Sequence, residues 1–433
     1  MAANTNINLR NQVIYSIYVR NHTEEGTFNA IVPDLDRIKE LGTDIIWFMP
    51  IHPIGVKNKK GSLGCPYAIS NYREVNPCYG TMDDFKNLVQ EIHKRGMKCM
   101  IDVVYNHTSP DNVLVESNPE FYYRKPNGDF GNQVGDWWDV IDLDYTNKDL
   151  WRYQIDTLKM WAEIVDGFRC DVASKIPVDF WLQARKEVEA VKEDFVWLAE
   201  TIHPGFIRYL RSQNLVAHSD CEMYTAFDID YDYDVRDEYE GYLKGEVSLS
   251  DYVKILMLQE SLYPENYVKL RCLENHDNPR IASYIKDENA IVNFTAFNYF
   301  LKGTTLVHAG QETENEICPD LFEYDKVNWN TGKDISKLMR KLYDIKQDEI
   351  FAKGVFELKS FDELDTVVGA YRMGERVIVG VFALKGKMGN VPVRLADGSY
   401  KNLITGETVA VVNGEIDTTN APVIIEGVVL PSV

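Results

Sequence analysis

The sequence predicts an α/β chain: a (β/α)8 barrel with a short subdomain inserted after its third strand, then a C-terminal antiparallel β-sandwich. Three observations predict it. Short apolar runs alternate with amphipathic helical stretches through the first 350 residues, in eight strand–helix units. No Gly-rich phosphate turn follows the first strand, where VRNHTEEGTF stands, so an open doubly wound sheet is disfavoured. From about residue 351 the pattern changes to short alternating runs with the turn signals Asp397-Gly398 and Asn413-Gly414.

The elements follow in order. VIYSIYV (13–19) reads as a strand, and residues 28–41 as a helix with Ile31, Leu35 and Ile38 on one face. DIIWFMP (44–50) is the second strand. A Gly- and Tyr-rich loop leads to Thr81, which caps a helix over 82–95 with Phe85, Leu88, Val89 and Ile92 as its apolar stripe. KCMIDVVYNH is the third strand. Residues 107–150 then form a loop far longer than an ordinary strand–helix connection. It holds Phe121, Tyr122, Tyr123, Phe130, Trp137 and Trp138, and reads as a subdomain walling a cleft. Helices at 150–165, 178–191, 205–214, 249–262, 290–301 and 335–350 separate the strands GFRCDV, FVWLAE, AFDIDYDYD, VKLRCLE and TTLVHAG. The barrel is thus assigned to residues 1–107 and 146–350, the insert to 108–145 and the sandwich to 351–433.

A formal net charge of -21 argues against nucleic acid or an anionic membrane as partner and suits a neutral ligand. No apolar run is long enough to span a bilayer, and MAANTNINLRNQ lacks the basic and apolar regions of a signal peptide. The seven cysteines are odd in number, contain no CxxC, and place Cys99, Cys170 and Cys272 in strands. That pattern fits free thiols in the cytoplasm. No feature of the sequence fixes an oligomeric state.

The chemistry centres on GFRCD (167–171). Side chains alternate along a strand, so Arg169 and Asp171 share one face while Phe168 and Cys170 take the other. An adjacent guanidinium favours the ionised carboxylate, as a nucleophilic Asp requires. Alone, the same pair is what a buried ion pair holding a loop looks like. Three further segments change the weighing: DVVYNH (102–107), WLAE ending at Glu200, and ENHD (274–277), each after an apolar run. Barrel enzymes carry function at the C-terminal strand ends, so Asp102, Asp171, Glu200 and Asp277 are expected on one rim with His107, Arg169 and His276. Four carboxylates drawn together are costly unless used. A divalent metal site is one use, though no HxH occurs. Glycoside hydrolysis is the other, needing one ionised carboxylate and one protonated carboxyl. Arg169 is expected to keep Asp171 ionised. Glu200 has no cation near it in sequence, so burial is expected to raise it toward the acid role.

In order and spacing, DVVYNH, GFRCD, WLAE and ENHD resemble the four conserved regions of the α-amylase family of α-glucan-active glycosidases, and the resemblance spans barrel and sandwich. It implies a retaining α-glycosidase with Asp171 as nucleophile, Glu200 as general acid/base and Asp277 as a third carboxylate gripping sugar hydroxyls. It further implies that Arg169, His107 and His276 hold the sugar, that Tyr67 stacks on its ring and that Asp102 supports the site from behind. Lys175 and Arg280 lie on loops expected to face the cleft and are candidates for substrate binding or plain surface charges. Trp137 and Trp138 fit either a subdomain core or sugar platforms. Ala68 stands where the family's exo-glucosidases carry Asp, and Ala173, Ser174 and Lys175 resemble the maltogenic-type pattern. The implied substrate is an α-1,4 malto-oligosaccharide or starch-type glucan, with a 4-α-glucanotransferase as the alternative.

No cofactor is expected. Relatives hold Ca²⁺ in a loop after the first strand, where NHTEEGTFNA lacks alternating oxygen ligands, or beside the insert through an Asn matching Asn106. Around Asn106 the carboxylates Asp129, Asp136, Asp139, Asp142 and Asp144 show no coordination spacing. Asn106 is expected instead to hydrogen-bond the backbone of the insert.

Overall fold

Eight short apolar strands close into one parallel barrel in the computed structural model, which describes residues 4–134 and 137–428. The insert carboxylate Asp136 and the end of the run VIIEGVVL lie outside the described residues. The strands are β1 (Val13–Ile17), β2 (Ile45–Phe48), β3 (Lys98–Val103), β4 (Gly167–Cys170), β5 (Val196–Ala199), β6 (Ile229–Tyr231), β7 (Lys269–Arg271) and β8 (Thr304–His308). Closure is made by β1, which pairs with β2 (Ile14 opposite Ile45) and with β8 (Val13 opposite Thr305). Alternate residues such as Trp47, Met100, Leu198 and Leu270 fill the barrel, while Phe48, Ile101, Phe168 and Trp197 face the helices.

Local chemistry sets the helix boundaries. Thr81 and Asp84 form a reciprocal capping box on the helix Met82–Lys94, whose buried stripe is Phe85, Leu88, Val89 and Ile92. The expected helix over 28–41 is interrupted: Pro33 sits in a 3-10 turn between Phe28–Ile31 and Leu35–Glu40. The last expected helix likewise divides, into Ser336–Lys346 and Ile350–Lys353. A helix absent from the sequence reading, Arg236–Lys244, follows β6.

The insert is tied to the barrel by a short antiparallel ribbon pairing His107 with Asp142 and Thr108 with Ile141. Phe121 and Tyr122 form its buried centre, whereas Trp138 is 56% exposed. Beyond the barrel, β9 (Val355–Phe361), β10 (Thr366–Met373) and β11 (Arg376–Ala383) form an antiparallel sheet completed by the strand Val423–Val428. One face of this sheet, including Tyr371 and Phe382, packs on Phe300 of the barrel. Its other face, Val368, Val379 and Val381, shares a core with Val391, Val411 and Ile416 of two facing ribbons. Asn413 and Gly414 make the expected two-residue hairpin with positive φ at both (54° and 74°). Asp397-Gly398 is not such a turn: Asp397 accepts the main-chain N–H groups of Asn413 and Gly414 at 3.0 and 2.8 Å. All seven cysteines are free thiols. Among the described residues no helix is long and apolar enough to cross a membrane.

Candidate active site

Period-two alternation on β4 turns Arg169 into the barrel mouth, fully buried and beside Asp171. Its Nη1 donates to Asp171 Oδ1 at 2.8 Å and to Asp102 Oδ1 and Oδ2 at 2.9 and 3.1 Å. Its Nε donates to the Tyr231 hydroxyl at 3.1 Å. Its Nη2 sits 3.1 Å from Glu200 Oε2. One guanidinium therefore serves three carboxylates from β3, β4 and β5.

That sharing corrects two expectations. Glu200 does have a cationic partner; the cation lies 31 positions earlier in sequence but on the adjacent strand. Asp171 is not held below its ordinary range. Burial pushes it well up, Glu200 adds to the push, and Arg169 only offsets part of it. Asp102 is raised to about 6, chiefly by burial, against the pull of Arg169 and His276.

Glu200 is fixed a second way. Its Oε2 accepts the main-chain N–H of Val172 at 2.7 Å. Val172 reaches that position in the left-handed region, at φ 42° and ψ 38°, an uncommon place for a β-branched residue. The backbone that follows Asp171 and the Glu200 carboxyl are thereby tied together.

The opposite side of the mouth carries Asp277, His276 and Tyr67. His276 Nε2 lies 2.7 Å from the Tyr67 hydroxyl and 3.1 Å from Asp277 Oδ2. The Tyr67 hydroxyl also donates to Asp102 Oδ2 at 3.0 Å. The Tyr67 and His276 rings are nearly parallel, 10° apart with centroids at 5.4 Å. Burial works to raise Asp277, but His276 and Arg169 prevail and hold it below its ordinary value, so it is ionised at neutral pH.

His107 is buried and pushed down to about 3, by burial first and then by Lys175 and Lys60, so it is neutral. The Asn106 side-chain amide lies 3.0 Å from its Nδ1. An amide nitrogen only donates, so Nδ1 accepts and Nε2 carries the proton, and a main-chain hydrogen bond at Tyr67 partly opposes the fall. The Asn106 side chain thus orients His107 instead of bonding the insert backbone; its main-chain carbonyl accepts the N–H of Leu143 at 3.0 Å.

Lys175 lies in a 3-10 turn just after Asp171, buried, with its ammonium 4.5 Å from the Trp137 ring and without a hydrogen-bond partner. Burial pulls it below the usual lysine value, opposed by Asp142 and Asp171. Trp137 in turn packs against His107 at 5.6 Å. Arg280 is placed elsewhere: fully buried, it donates to Glu274 at 2.6 Å and to the Ala309 carbonyl at 2.8 Å, bracing the loops after β7 and β8. Sequence reasoning did not single out Tyr231, Val172, or Tyr233, on which the His203 ring stacks at 4.8 Å. The alternation of Tyr231 and Tyr233 in DIDYDYD was the available signal for two of them.

Among the described residues no group of three or more His, Cys, Asp or Glu side chains is gathered as a metal site would need, around Asn106 or elsewhere. The Asn106 amide is engaged on His107, and Asp142 accepts the Gln133 N–H at 2.8 Å and feels the Lys175 ammonium. Asp129 is bonded by Asn127, Asp139 is paired with Lys60, and Asp144 accepts the Thr146 N–H.

A closed parallel barrel with buried carboxylates around one arginine at its C-terminal mouth defines a glycoside hydrolase of the (β/α)8 class. The family model for the α-amylase catalytic domain matches residues 12–131 and 134–353, and that for the bacterial α-amylase C-terminal domain matches 357–425. The chain belongs to the α-amylase family. It is similar to the crystal structure of an α-amylase from Lactobacillus plantarum, at 45% identity and TM-score 0.95, covering 98% of this chain and 100% of that one. It is also similar to the noncanonic maltogenic α-amylase AmyB from Thermotoga neapolitana, at 34% identity and TM-score 0.87, over 98% and 100%. Among curated sequences, α-amylase MalA from Haloarcula japonica is 27% identical over 343 residues, 77% of this chain but 48% of MalA, so the match spans about half of that relative.

Proposed function

We propose that the protein hydrolyses α-1,4-glucosidic bonds of malto-oligosaccharides and starch-type glucans with retention of configuration, in the cytoplasm and without a bound metal. The observation that carries the reading is the single Arg169 shared by Asp171 and Glu200. A double displacement starts with one of these carboxyls ionised and the other protonated, and both lie within reach of the same guanidinium. With the proton on Glu200, Arg169 neutralises Asp171, whose carboxylate attacks the anomeric carbon. Glu200 gives its proton to the glycosidic oxygen as the C–O bond breaks, leaving a β-linked glucosyl ester on Asp171. Glu200 then takes a proton from water, the water oxygen displaces Asp171, and the released sugar is α-configured.

The other groups bind and orient. Ionised Asp277, His276 and the neutral His107 meet sugar hydroxyls, Tyr67 offers a ring face, and Asp102 fixes Arg169 and the Tyr67 hydroxyl from below. The unpartnered Lys175 ammonium has donors to spare for a substrate oxygen. The free thiols support a reducing compartment. Product analysis on maltoheptaose, with pullulan and sucrose alongside, tests the reading: short α-products without chain lengthening are expected, whereas disproportionation into longer chains indicates a 4-α-glucanotransferase.

A further inference from the structure

We propose that Lys60 seals the non-reducing end of the cleft, so that only one or two sugar units fit on that side of the cleaved bond. The inference deepens the hydrolytic reading of the same site and rests on it.

The direction of the chain follows from the acid. Glu200 at the end of β5 protonates the leaving oxygen, so the reducing-end units run out on that side, toward His203 and Tyr233. The non-reducing units extend the other way, past Tyr67 and His276, toward the loops that follow β8, β2 and β3. These three loops are stitched into a wall. The loop after β2 lies along the one after β8, with Leu63 N–H donating to the Phe322 carbonyl at 3.0 Å and Ser62 N–H to Glu323 Oε1 at 2.7 Å. Gly61, at φ 61°, permits that approach: a Cβ there would stand 2.6 Å from Phe322 Cβ.

Lys60 joins the insert to this pair. Its ammonium is 2.8 Å from Asp139 Oδ1, 5.8 Å from the Trp138 ring and 6.0 Å from the Phe322 ring. Asp139 is 3% exposed, and a carboxylate so buried needs its partner. The bridge stands close to the site, since Trp137, two residues before Asp139, packs 5.6 Å from the His107 ring and 4.5 Å from the Lys175 ammonium. Exposed Trp138, held at the bridge, gives the last unit an aromatic face to rest on.

The test uses reducing-end-labelled maltoheptaose and the full chain, read at the earliest times. Wild type is expected to leave labelled fragments of five or six units. Lys60→Met, which keeps the stem and removes the ammonium, and Asp139→Asn are expected to raise the share of labelled fragments of four units or fewer at least tenfold. Folded variants, checked by circular dichroism, with an unchanged product series would overturn the seal. So would a wild type that yields labelled fragments of four units or fewer from its first cuts, and that result decides the matter alone if both variants fail to fold. A wild type unable to cut maltoheptaose brings down the hydrolytic reading and the seal together; a broad wild-type series brings down the seal only.

Discussion

The main-chain N–H of Val172 donates to Glu200 Oε2 at 2.7 Å from a left-handed backbone, coupling the residue after Asp171 to Glu200. Strain of this kind is worth on the order of 1–3 kcal/mol and persists only where the surroundings impose it. Val172→Gly relieves it while loosening Glu200. The expected outcome is a thermal midpoint that does not fall and a kcat on maltoheptaose reduced roughly tenfold, about 1.4 kcal/mol in the barrier. A variant with wild-type kcat contradicts a role in positioning Glu200.

Removing either reacting carboxyl should abolish turnover and leave the fold. Asp171→Asn and Glu200→Gln are each expected to lower kcat by roughly 10³-fold or more, Glu200 through the lost proton transfer. Asp277→Asn should lose kcat and kcat/KM together, the sign of a contact strengthened in the transition state. Steady-state kinetics with near-wild-type values for any of the three contradicts its assignment.

The same cluster sets a pH dependence of stability. Asp102 is raised from 3.8 to about 6, so between those values the folded protein binds its proton more tightly than the unfolded chain. Stability from this group is therefore complete below about pH 4 and is lost as pH rises through 6. Asp171 is raised in the same direction by burial and Glu200. Asp171→Asn, which removes one of three carboxylates sharing Arg169, is expected to melt higher than wild type at pH 8, by about 2 °C, and level with it at pH 4. Arg169→Met should do the reverse, costing about 3–5 kcal/mol by leaving buried carboxylates uncompensated. A midpoint for Asp171→Asn below that of wild type at pH 8 contradicts this account.

Chelation should change little. Asn106 is engaged on His107, and the insert carboxylates described above already have partners. Activity and thermal midpoint are expected to be the same with and without EDTA. A marked fall restored by Ca²⁺ would show a site built differently.

What the sequence made legible was what repeats locally. Alternation along GFRCD set Arg169 beside Asp171, and Thr81 with Asp84 announced the start of its helix. The rim followed because each carboxylate ends an apolar run and barrel strands end on one side. What stayed hidden depends on closure. The contact from Arg169 to Glu200 crosses between β4 and β5, so no window of sequence contains it, and the sign of the Asp171 shift follows from burial first and from that crowding second. Arg280 stands in a loop facing the cleft, yet its partner Glu274 and the Ala309 carbonyl turn it inward. The two tryptophans of the insert part company for the same reason: Trp137 meets Lys175 from β4's loop, and Trp138 meets Lys60 from β2's.

The central claim is the double displacement by Asp171 and Glu200, and the anomer first released tests it most directly. A retaining pair requires carboxyl groups about 5–5.5 Å apart and an α-configured first product from an α-linked glucan. Proton NMR of maltoheptaose hydrolysis, recorded before mutarotation, is predicted to show the α-anomer signal growing first; initial growth of the β-anomer would contradict the account.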